Sequence, residues 1–333
     1  MNILLIGLGS AGQRHLRILR DIYDDANEIF VYRGQHKRGL ISINLQNENM
    51  DINPIEFYGA QELLHTDEFQ KQSWDLTIIA TPPNSHLEYL NKTISISKRI
   101  LIEKPISTDL DSAIKIREAA KINGKPVLIG YQLIFHEIIQ KLIQIIPKLG
   151  NIQSCNLVFI ESLLAMNPFR SMDNHHLAKP DGGGVFLGLS HDLDLVISLF
   201  KATGYKEAAF WNILSSPTGA IVACELSATL ISDNCALPIR CQFSISEKNT
   251  SRTITINGSQ ARLELDLVSQ ILVVADYHGN NIFQENLVIN KDSLFRAQIE
   301  HLMNTKDLDT FCESNLDRSI LISELNELLC KIP

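Results

Sequence analysis

The first dozen residues restrict the fold more than any other part of the chain. A short, mostly apolar run, Asn2–Ile6, is followed by glycines at positions 7, 9 and 12 in the spacing G-x-G-x-x-G. In such a turn the first glycine reverses the chain, the second lets a pyrophosphate approach the backbone, and the third lets a helix pack on the strand. Residues 13–23 carry apolar side chains at helical spacing, so the pattern predicts a strand, a turn and a dinucleotide-binding helix start. The residues expected at the diphosphate are Gly7, Gly9, Ser10, Ala11 and Gly12.

Composition narrows the class of protein. The chain has 333 residues, of which 45% are hydrophobic, so we expect two packed domains. The formal charge of −8 argues against a nucleic acid as the main partner. No basic segment precedes the apolar start, and no run approaches the roughly 20 apolar residues of a membrane span, so we expect a cytoplasmic protein without membrane association. The six cysteines form no C-x-x-C pair and are expected to be reduced, mostly buried thiols.

The second predicted strand leads to the position that distinguishes NAD from NADP. Glu28–Tyr32 is followed by Arg33, and Lys37 and Arg38 come soon after. NAD sites usually have an acidic residue about 20 residues beyond the glycines, whereas an arginine suits the 2′-phosphate of NADP. The acid is missing here, so Arg33 favours NADP(H), with NAD(H) also possible. A solvated basic loop is the alternative interpretation.

Two further strands are expected next, at Ile55–Tyr58 and Asp75–Ala80. The second is largely apolar, as buried parallel strands are, and two prolines end it. Thr81 and Pro82 therefore fall at the carboxyl edge of the sheet, where open α/β sheets bind ligands. We expect them, together with His86, near the nicotinamide. For His86, an incidental place in a helix-capping turn is the alternative.

A lysine follows the fifth predicted strand, Arg99–Ile102. Burying an ammonium group is costly, so Lys104 is expected to point into a polar cleft at the end of this strand.

The alternation of strands and helices predicts where the first domain ends. A helix over 110–122, capped by Ser107, and a strand over 126–130 complete the pattern. We therefore predict an α/β fold in which residues 1–130 form a Rossmann domain with a doubly wound parallel sheet. Residues 131–333 form the second domain.

The helix expected over 189–200 has two distinct faces. One stripe is apolar and must face a core, whereas His191, Asp194 and Ser198 fall together on the opposite side. The residues alone leave two interpretations of this polar stripe, a solvated surface or part of a site.

A polar segment, 163–183, lies before this helix. It contains Arg170 and His175 and is expected to line a substrate site, since binding residues concentrate on such connections. His175 and His176 are adjacent, but no carboxylate or cysteine lies at ligand spacing, so no metal is expected.

The other elements of the second half come from apolar periodicity. Alternating runs between 208 and 289 suit an antiparallel sheet, with a hairpin turn at Asn257-Gly258. Two C-terminal helices are expected to pack back against the first domain. The remaining expected elements are a helix over 135–149, a strand over 152–162, and the C-terminal helices over 293–303 and 316–329.

Several motifs occur together in an order that resembles a known family. They are Gly7–Gly12, Ala80-Thr81-Pro82 with His86, Glu103-Lys104-Pro105, Gly130-Tyr131-Gln132, Gly182–Gly184 and Ser190–Asp194. The chain is similar to the glucose-fructose oxidoreductase, inositol dehydrogenase and MocA (Gfo/Idh/MocA) family, and especially to bacterial members that act on surface-sugar precursors. The resemblance implies a second α/β domain with an open, mostly antiparallel sheet, and NAD(P)-dependent oxidation or reduction of sugars.

The resemblance also implies roles for individual residues. Lys104 and His191 are expected to be catalytic, and Glu103 and Lys104 to contact the cofactor. The expected substrate-binding residues are Tyr131, Gln132, Arg170, His175 and Asp194. The partner is a small sugar or nucleotide-sugar, and an open apolar sheet face implies a homodimer or homotetramer.

The chain departs from the family pattern at two places. Gly188 stands where members usually carry an aspartate, and Leu133-Ile134 replaces a usual arginine. A carboxylate beside the histidine orients it and raises its basicity, so Asp192 or Asp194 would have to substitute. Two functions are therefore open: an NADP(H)-dependent sugar oxidoreductase, or a catalytically impaired dinucleotide-binding sensor or regulatory partner.

Overall fold

The chain divides into two compact units. The computed structural model describes residues 1–23, 28–34, 39–43, 48–162, 176–179, 182–233 and 235–332. The first unit comprises Met1–Tyr131 and Phe295–Ser323, and the second comprises Gln132–Leu294 and Glu324–Pro333. Within these described ranges, no helix is both long and apolar enough to cross a membrane.

The first unit contains a six-stranded parallel sheet in the order β5-β2-β1-β6-β7-β8. The strand order reverses between β1 and β6, which is the switch point at which such sheets bind dinucleotides. This arrangement confirms the predicted Rossmann domain. Its strands are β1 (Asn2–Ile6), β2 (Glu28–Tyr32), β5 (Gln61–Glu62), β6 (Leu76–Ile79), β7 (Ile100–Ile102) and β8 (Val127–Ile129), with a separate ribbon of β3 (Leu40–Ile41) and β4 (Glu48–Asn49).

Helices surround this sheet and protect its edge. Asn315 pairs with the outer strand β8, because its side chain accepts a 2.7 Å hydrogen bond from the N–H of Ile129 and donates to the carbonyl of the same residue. Such pairing satisfies an edge that would otherwise present open hydrogen-bonding groups. The helices are α1 (Ser10–Ile22), α2 (Pro54–Phe57), α3 (His86–Thr93), α4 (Leu110–Asn123) and, from the C-terminal part, α8 (Lys291–Asn304) and α9 (Asp309–Cys330).

Two predictions for the first unit are wrong. The strand expected at Ile55–Tyr58 is helix α2, because the Asn53 side chain accepts from the N–H of Ile55 and Pro54 occupies the first helical position. The third strand of the sheet is instead β5. Helix α4 is capped by Asp109, which accepts a 2.8 Å bond from the N–H of Ser112, and not by the predicted Ser107.

The second unit contains an open eight-stranded sheet in the order β10-β11-β12-β9-β13-β14-β15-β16. Only β9 and β12 pair in parallel, which confirms the predicted mostly antiparallel sheet. The strands are β9 (Ile152–Ile160), β10 (Gly204–Ser215), β11 (Ile221–Ser232), β12 (Cys235–Ser244), β13 (Ser251–Gly258), β14 (Ala261–Asp266), β15 (Ile271–Asp276) and β16 (Asn281–Asn286). Its helices are α5 (Ile138–Ile145), α6 (Gly184–Gly188) and α7 (His191–Phe200).

The hairpin expected at Asn257-Gly258 turns slightly later. Both residues belong to the end of β13, and Ser259 and Gln260 connect it to β14. Gly258 is needed because a Cβ atom there would lie 2.1 Å from the carbonyl oxygen of Leu149. The glycine therefore serves a close backbone approach.

Most of the cysteines are buried, as predicted. Burial raises the pKa of Cys155, Cys224 and Cys312 to about 12 and raises that of Cys241 well above its usual range, which makes these thiols unreactive. Cys330 is exposed, and it and the four buried cysteines just named are free thiols.

Candidate active site

The glycine turn after β1 has no room for larger side chains at two of its positions. Gly7 has φ of +95°, and a Cβ atom there would lie 2.5 Å from the carbonyl oxygen of Ala80. A Cβ atom on Gly12 would lie 2.1 Å from the carbonyl oxygen of Gly7. By contrast, a Cβ atom on Gly9 would meet nothing within 4 Å among the residues the structure describes. The turn therefore packs tightly on one side and is open at Gly9.

This open side suits a diphosphate. Helix α1 begins after Gly9, and no side chain of the described chain caps its N-terminus. Backbone N–H groups at such a helix end, including those of Ser10 and Ala11, bind anions because they lack intrahelical acceptors and carry the positive end of the helix dipole. The residues present therefore fit the diphosphate of a dinucleotide.

Arg33 lies directly after β2 and pairs with a carboxylate that the sequence did not indicate. Its Nε and Nη2 atoms donate to the two carboxylate oxygens of Glu62 at 2.6 and 3.0 Å, and its Nη1 lies 3.5 Å from Oδ1 of Asn53. Only 9% of the Arg33 side chain is exposed. The alternative of a solvated loop residue is thus wrong for Arg33, whereas Lys37 and Arg38 lie outside the described residues.

The loop after β6 is held from inside by His86. The Ser85 hydroxyl donates to Oγ1 of Thr81 and the carbonyl of Pro82 at 2.9 and 2.8 Å. His86 is fully buried, with its ring nitrogens 2.9 Å from the Thr81 carbonyl and 3.1 Å from the Ile106 carbonyl. Burial lowers the pKa of His86, because a buried site disfavours the charged form of the ring. His86 is the first residue of α3, as the alternative interpretation expects, and its contacts tie the loop after β6 to the segment after β7. Its place near the nicotinamide stays a prediction.

The loop after β7 places Lys104 and buries its neighbour. Oε1 of Glu103 lies 2.7 Å from Nε2 of His15, and Oε2 accepts from the backbone N–H of Lys104 at 3.3 Å. A Cβ atom on Gly130 would lie 3.2 Å from the same Oε2, so the glycine leaves space for this carboxylate. Lys104 itself is half-buried. Glu103 therefore supports the backbone of the lysine, and its expected contact with the cofactor stays a prediction.

His15 is a residue that sequence reasoning missed. It lies on the buried face of α1, and its ring packs 4.9 Å from that of Phe295. The sequence signal that could have indicated its role is a histidine on the apolar face of the helix that follows the glycine turn. A polar group on a buried face needs a hydrogen-bond partner.

The predicted substrate-binding residues differ in burial and in whether the structure describes them. Gln132 begins a 3-10 helix that packs against α7, and its side chain is almost completely buried. Tyr131, at the end of the first unit, is only 1% exposed. Arg170 and His175 lie outside the described residues.

Helix α7 does not present a solvated polar face. His191 is half-buried, whereas Asp192 and Asp194 are completely buried. The carboxylate of Asp192 accepts from Nε and Nη2 of Arg252 at 2.6 to 3.1 Å, and the guanidinium stacks 4.1 Å from the ring centre of Phe159. Of the two aspartates expected to replace the missing carboxylate, Asp192 is thus committed to Arg252. Asp194 remains the candidate.

The Leu177 side chain occupies the space beside Gly188, the residue that stands in place of the family's usual aspartate. A Cβ atom at this position would lie 2.4 Å from Cδ2 and 2.7 Å from Cδ1 of Leu177, which is buried. An apolar side chain therefore occupies the place that the Cβ atom of an aspartate would take.

Comparisons with known proteins agree with this architecture. Residues 1–131 match the Gfo/Idh/MocA family, an oxidoreductase family with an NAD-binding Rossmann fold. Glucose-6-phosphate 3-dehydrogenase of Bacillus subtilis (strain 168) is 26% identical over 259 residues, which span 72% of this chain and 70% of that protein.

Solved structures resemble the chain over almost its full length. UDP-N-acetylglucosamine 3-dehydrogenase GnnA from Acidithiobacillus ferrooxidans gives a TM-score of 0.72 at 18% identity, covering 96% of this chain and 94% of that one. KijD10, a 3-ketoreductase from Actinomadura kijaniata in complex with NADP and TDP-benzene, gives a TM-score of 0.72 at 14% identity, covering 97% and 95%. Residues 1–131 thus carry the Rossmann domain of the Gfo/Idh/MocA oxidoreductase family, and the chain as a whole shares its fold with these structures.

Proposed function

We propose that this protein is an NAD(P)-dependent oxidoreductase that acts on a CH–OH group of a sugar or nucleotide-sugar. The observation that carries the proposal is the tight glycine turn with its open side at Gly9, combined with a lysine fixed at the end of β7. The names of the relatives support the substrate class, since they include a glucose-6-phosphate and a UDP-N-acetylglucosamine 3-dehydrogenase. A role in surface-sugar precursor synthesis fits this class.

The roles of the two proposed catalytic residues follow from their chemistry. The bound nicotinamide supplies the hydride acceptor or donor. In alcohol oxidation, the Lys104 ammonium donates a hydrogen bond to the reacting oxygen and stabilises the developing alkoxide. His191 accepts the hydroxyl proton. In ketone reduction the same groups act in reverse, with His191 donating the proton.

Supporting residues hold these groups. The Glu103 carboxylate fixes the backbone of Lys104, and the buried Asp194, one turn after His191, is proposed to orient the imidazole. Tyr131, Gln132, Arg170 and His175 are proposed to shape the substrate site.

For the cofactor, we propose NADP(H) as the preferred form and NAD(H) as an accepted one. Arg33 supports the preference because a guanidinium pairs with a phosphate through charge-assisted hydrogen bonds. Arg33→Asp should reverse the preference in a titration of both reduced dinucleotides.

We also propose a cytoplasmic homodimer or homotetramer. Along β11, buried side chains alternate with half-buried ones. One face of the eight-stranded sheet is therefore partly exposed and available for contact with a second copy of the chain. Light scattering on the purified protein tests this assembly.

The proposed function is tested in two steps. Binding of NADPH and NADH is measured by nicotinamide fluorescence, and turnover is then followed by absorbance with sugar phosphates and nucleotide-sugars. We expect binding and dinucleotide-dependent turnover of at least one member of the panel. Failure of the folded protein to bind either dinucleotide would refute the proposal.

The second candidate function is a dinucleotide-binding sensor or regulatory partner without activity. It is favoured by Leu177, whose side chain fills the space beside Gly188, the position at which the resemblance to the family implies an orienting carboxylate. Dinucleotide binding without turnover of any substrate in the panel would support this candidate.

A further inference from the structure

We propose that Glu62 limits the preference for NADP(H) by holding a negative charge against Arg33, so that NADH remains usable. The inference rests on the proposed function, because it concerns the dinucleotide site. It assigns a specificity role to a residue outside the motifs that identify the family.

The topology brings the two side chains to the same edge of the sheet. Strands β2 and β5 are parallel neighbours, with Val31 paired to Glu62, and Arg33 follows Val31 by two residues, directly after the end of β2. Arg33 therefore begins the loop at the carboxyl end of β2, next to the strand that carries Glu62. This is the edge at which the adenosine ribose of a dinucleotide is bound in such folds.

The contact is bidentate, with the arginine side chain mostly buried and the carboxylate partly exposed. Two guanidinium donors reach two carboxylate oxygens at 2.6 and 3.0 Å, and the exposed fractions of the side chains are 9% for Arg33 and 29% for Glu62. A guanidinium has five N–H donors, so the Nη1 and Nη2 edge can still receive a second anion. The carboxylate thus occupies one anion position on Arg33 and leaves another.

The charge of Glu62 acts differently on the two cofactors. A 2′-phosphate carries about −1.5 to −2 charge at neutral pH and would meet a carboxylate that already neutralises Arg33. The 2′-hydroxyl of NADH is neutral and can donate to a carboxylate, which is the usual role of an acid at this edge. Glu62 therefore weakens NADPH binding without a matching penalty for NADH.

Asn53 keeps the guanidinium in place when this charge is removed. Its Oδ1 lies 3.5 Å from Nη1 of Arg33 and also accepts from the N–H of Ile55, which fixes the amide at the start of α2. A glutamine at position 62 would retain one oxygen acceptor for Nε. The Glu62→Gln variant thus removes the charge while leaving two groups that orient Arg33.

The test compares dissociation constants for NADPH and NADH by fluorescence titration at low ionic strength. Glu62→Gln should bind NADPH about tenfold more tightly, the scale expected for one partly exposed like charge, and should bind NADH equally or more weakly. Adenosine 2′,5′-bisphosphate should gain the same factor over adenosine 5′-monophosphate. The gain should shrink as salt is added, because the pair is partly exposed.

Glu56→Gln is the matched control. Glu56 is exposed, lies in α2, and contacts Asn53 rather than Arg33, so its neutralisation should leave the NADPH to NADH ratio unchanged. Circular dichroism confirms that each variant is folded. An unchanged ratio in folded Glu62→Gln, with both dinucleotides still bound, would overturn this inference and leave the proposed function intact. If the folded wild type bound neither dinucleotide, both this inference and the proposed function would be overturned.

Discussion

Nε2 of His15 lies 2.7 Å from Oε1 of Glu103, and this buried contact joins the helix of the glycine turn to the loop that carries Lys104. An N–H at Nε2 can donate to the carboxylate, while Nδ1 has no hydrogen-bond partner within the described chain. The geometry makes His15 a positioning residue for the proposed catalytic lysine, since Glu103 in turn accepts from the Lys104 backbone.

Replacing His15 tests this linkage. His15→Leu leaves a buried carboxylate oxygen without its donor, so we expect a loss of about 1 to 3 kcal/mol in stability and a lower kcat. His15→Gln retains an N–H donor and should recover part of the kcat. Thermal unfolding and steady-state kinetics measure both effects. A positioning role requires that the N–H donor of glutamine restores part of the kcat, whereas a loss of stability could occur in both variants. Equal kcat in the leucine and glutamine variants would therefore contradict a positioning role.

Lys104→Ala should lower kcat by at least about a hundredfold, which is the usual scale for losing one group that stabilises developing charge. The affinity for the dinucleotide should be largely retained, and a fluorescence titration measures it separately from turnover. Lys98→Ala is the control, because this exposed lysine pairs with Asp75 near the opposite end of β7. Near-wild-type kcat in Lys104→Ala would refute the proposed role of this residue.

His191→Ala should also lower kcat strongly, and its effect should combine with that of Lys104→Ala less than additively. Both groups are proposed to act on the same oxygen, so removing either one already impairs its charge and proton transfer. The single and double variants are compared in one series of turnover measurements. Fully multiplicative losses would indicate that the two residues act independently.

The sequence predicted local secondary structure more reliably than it predicted which side chains contact each other. The glycine turn, β1 and β2 followed from spacing and apolar periodicity. Strand β10 did not, because positive φ angles at Glu207 and Asn212 and shifts in its pairing interrupt the alternation on which strand prediction depends.

The site illustrates the same limit. Arg33 was selected by its place after β2, but nothing local indicates that Glu62, 29 residues away, pairs with it. Likewise, periodicity placed Asp192 and Asp194 on a helix, but it could not predict that Asp192 pairs with Arg252 of strand β13. Contacts between distant parts of the chain require the packing that the sequence pattern does not contain.

His86 predicts a loss of stability in mild acid. Burial is the main cause of its lowered pKa and outweighs the opposing effects of the Thr81 and Ile106 carbonyls and of Glu103, so the unfolded chain binds a proton more readily than the folded one. Stability should therefore fall as the pH drops below the unfolded value of 6.5 towards the lower folded pKa. His86→Gln should reduce the difference between the melting temperatures at about pH 7.5 and about pH 5.5. A residual difference is expected because burial also lowers the pKa of His301.

The departure at Gly188 is best tested together with its neighbour. Gly188→Asp alone should lower stability and turnover, because its Cβ atom would collide with the Leu177 methyl groups at 2.4 and 2.7 Å. Leu177→Ala alone should cost about 2 to 5 kcal/mol through lost burial and a cavity. In the double variant the cavity accommodates the aspartate, so the combined loss of stability should be smaller than the sum of the two single losses. Turnover above that of Leu177→Ala would show that a carboxylate at this position orients His191. Chemical denaturation and turnover assays on all four proteins measure both couplings, and strictly additive losses of stability would mean that Leu177 is not the obstacle.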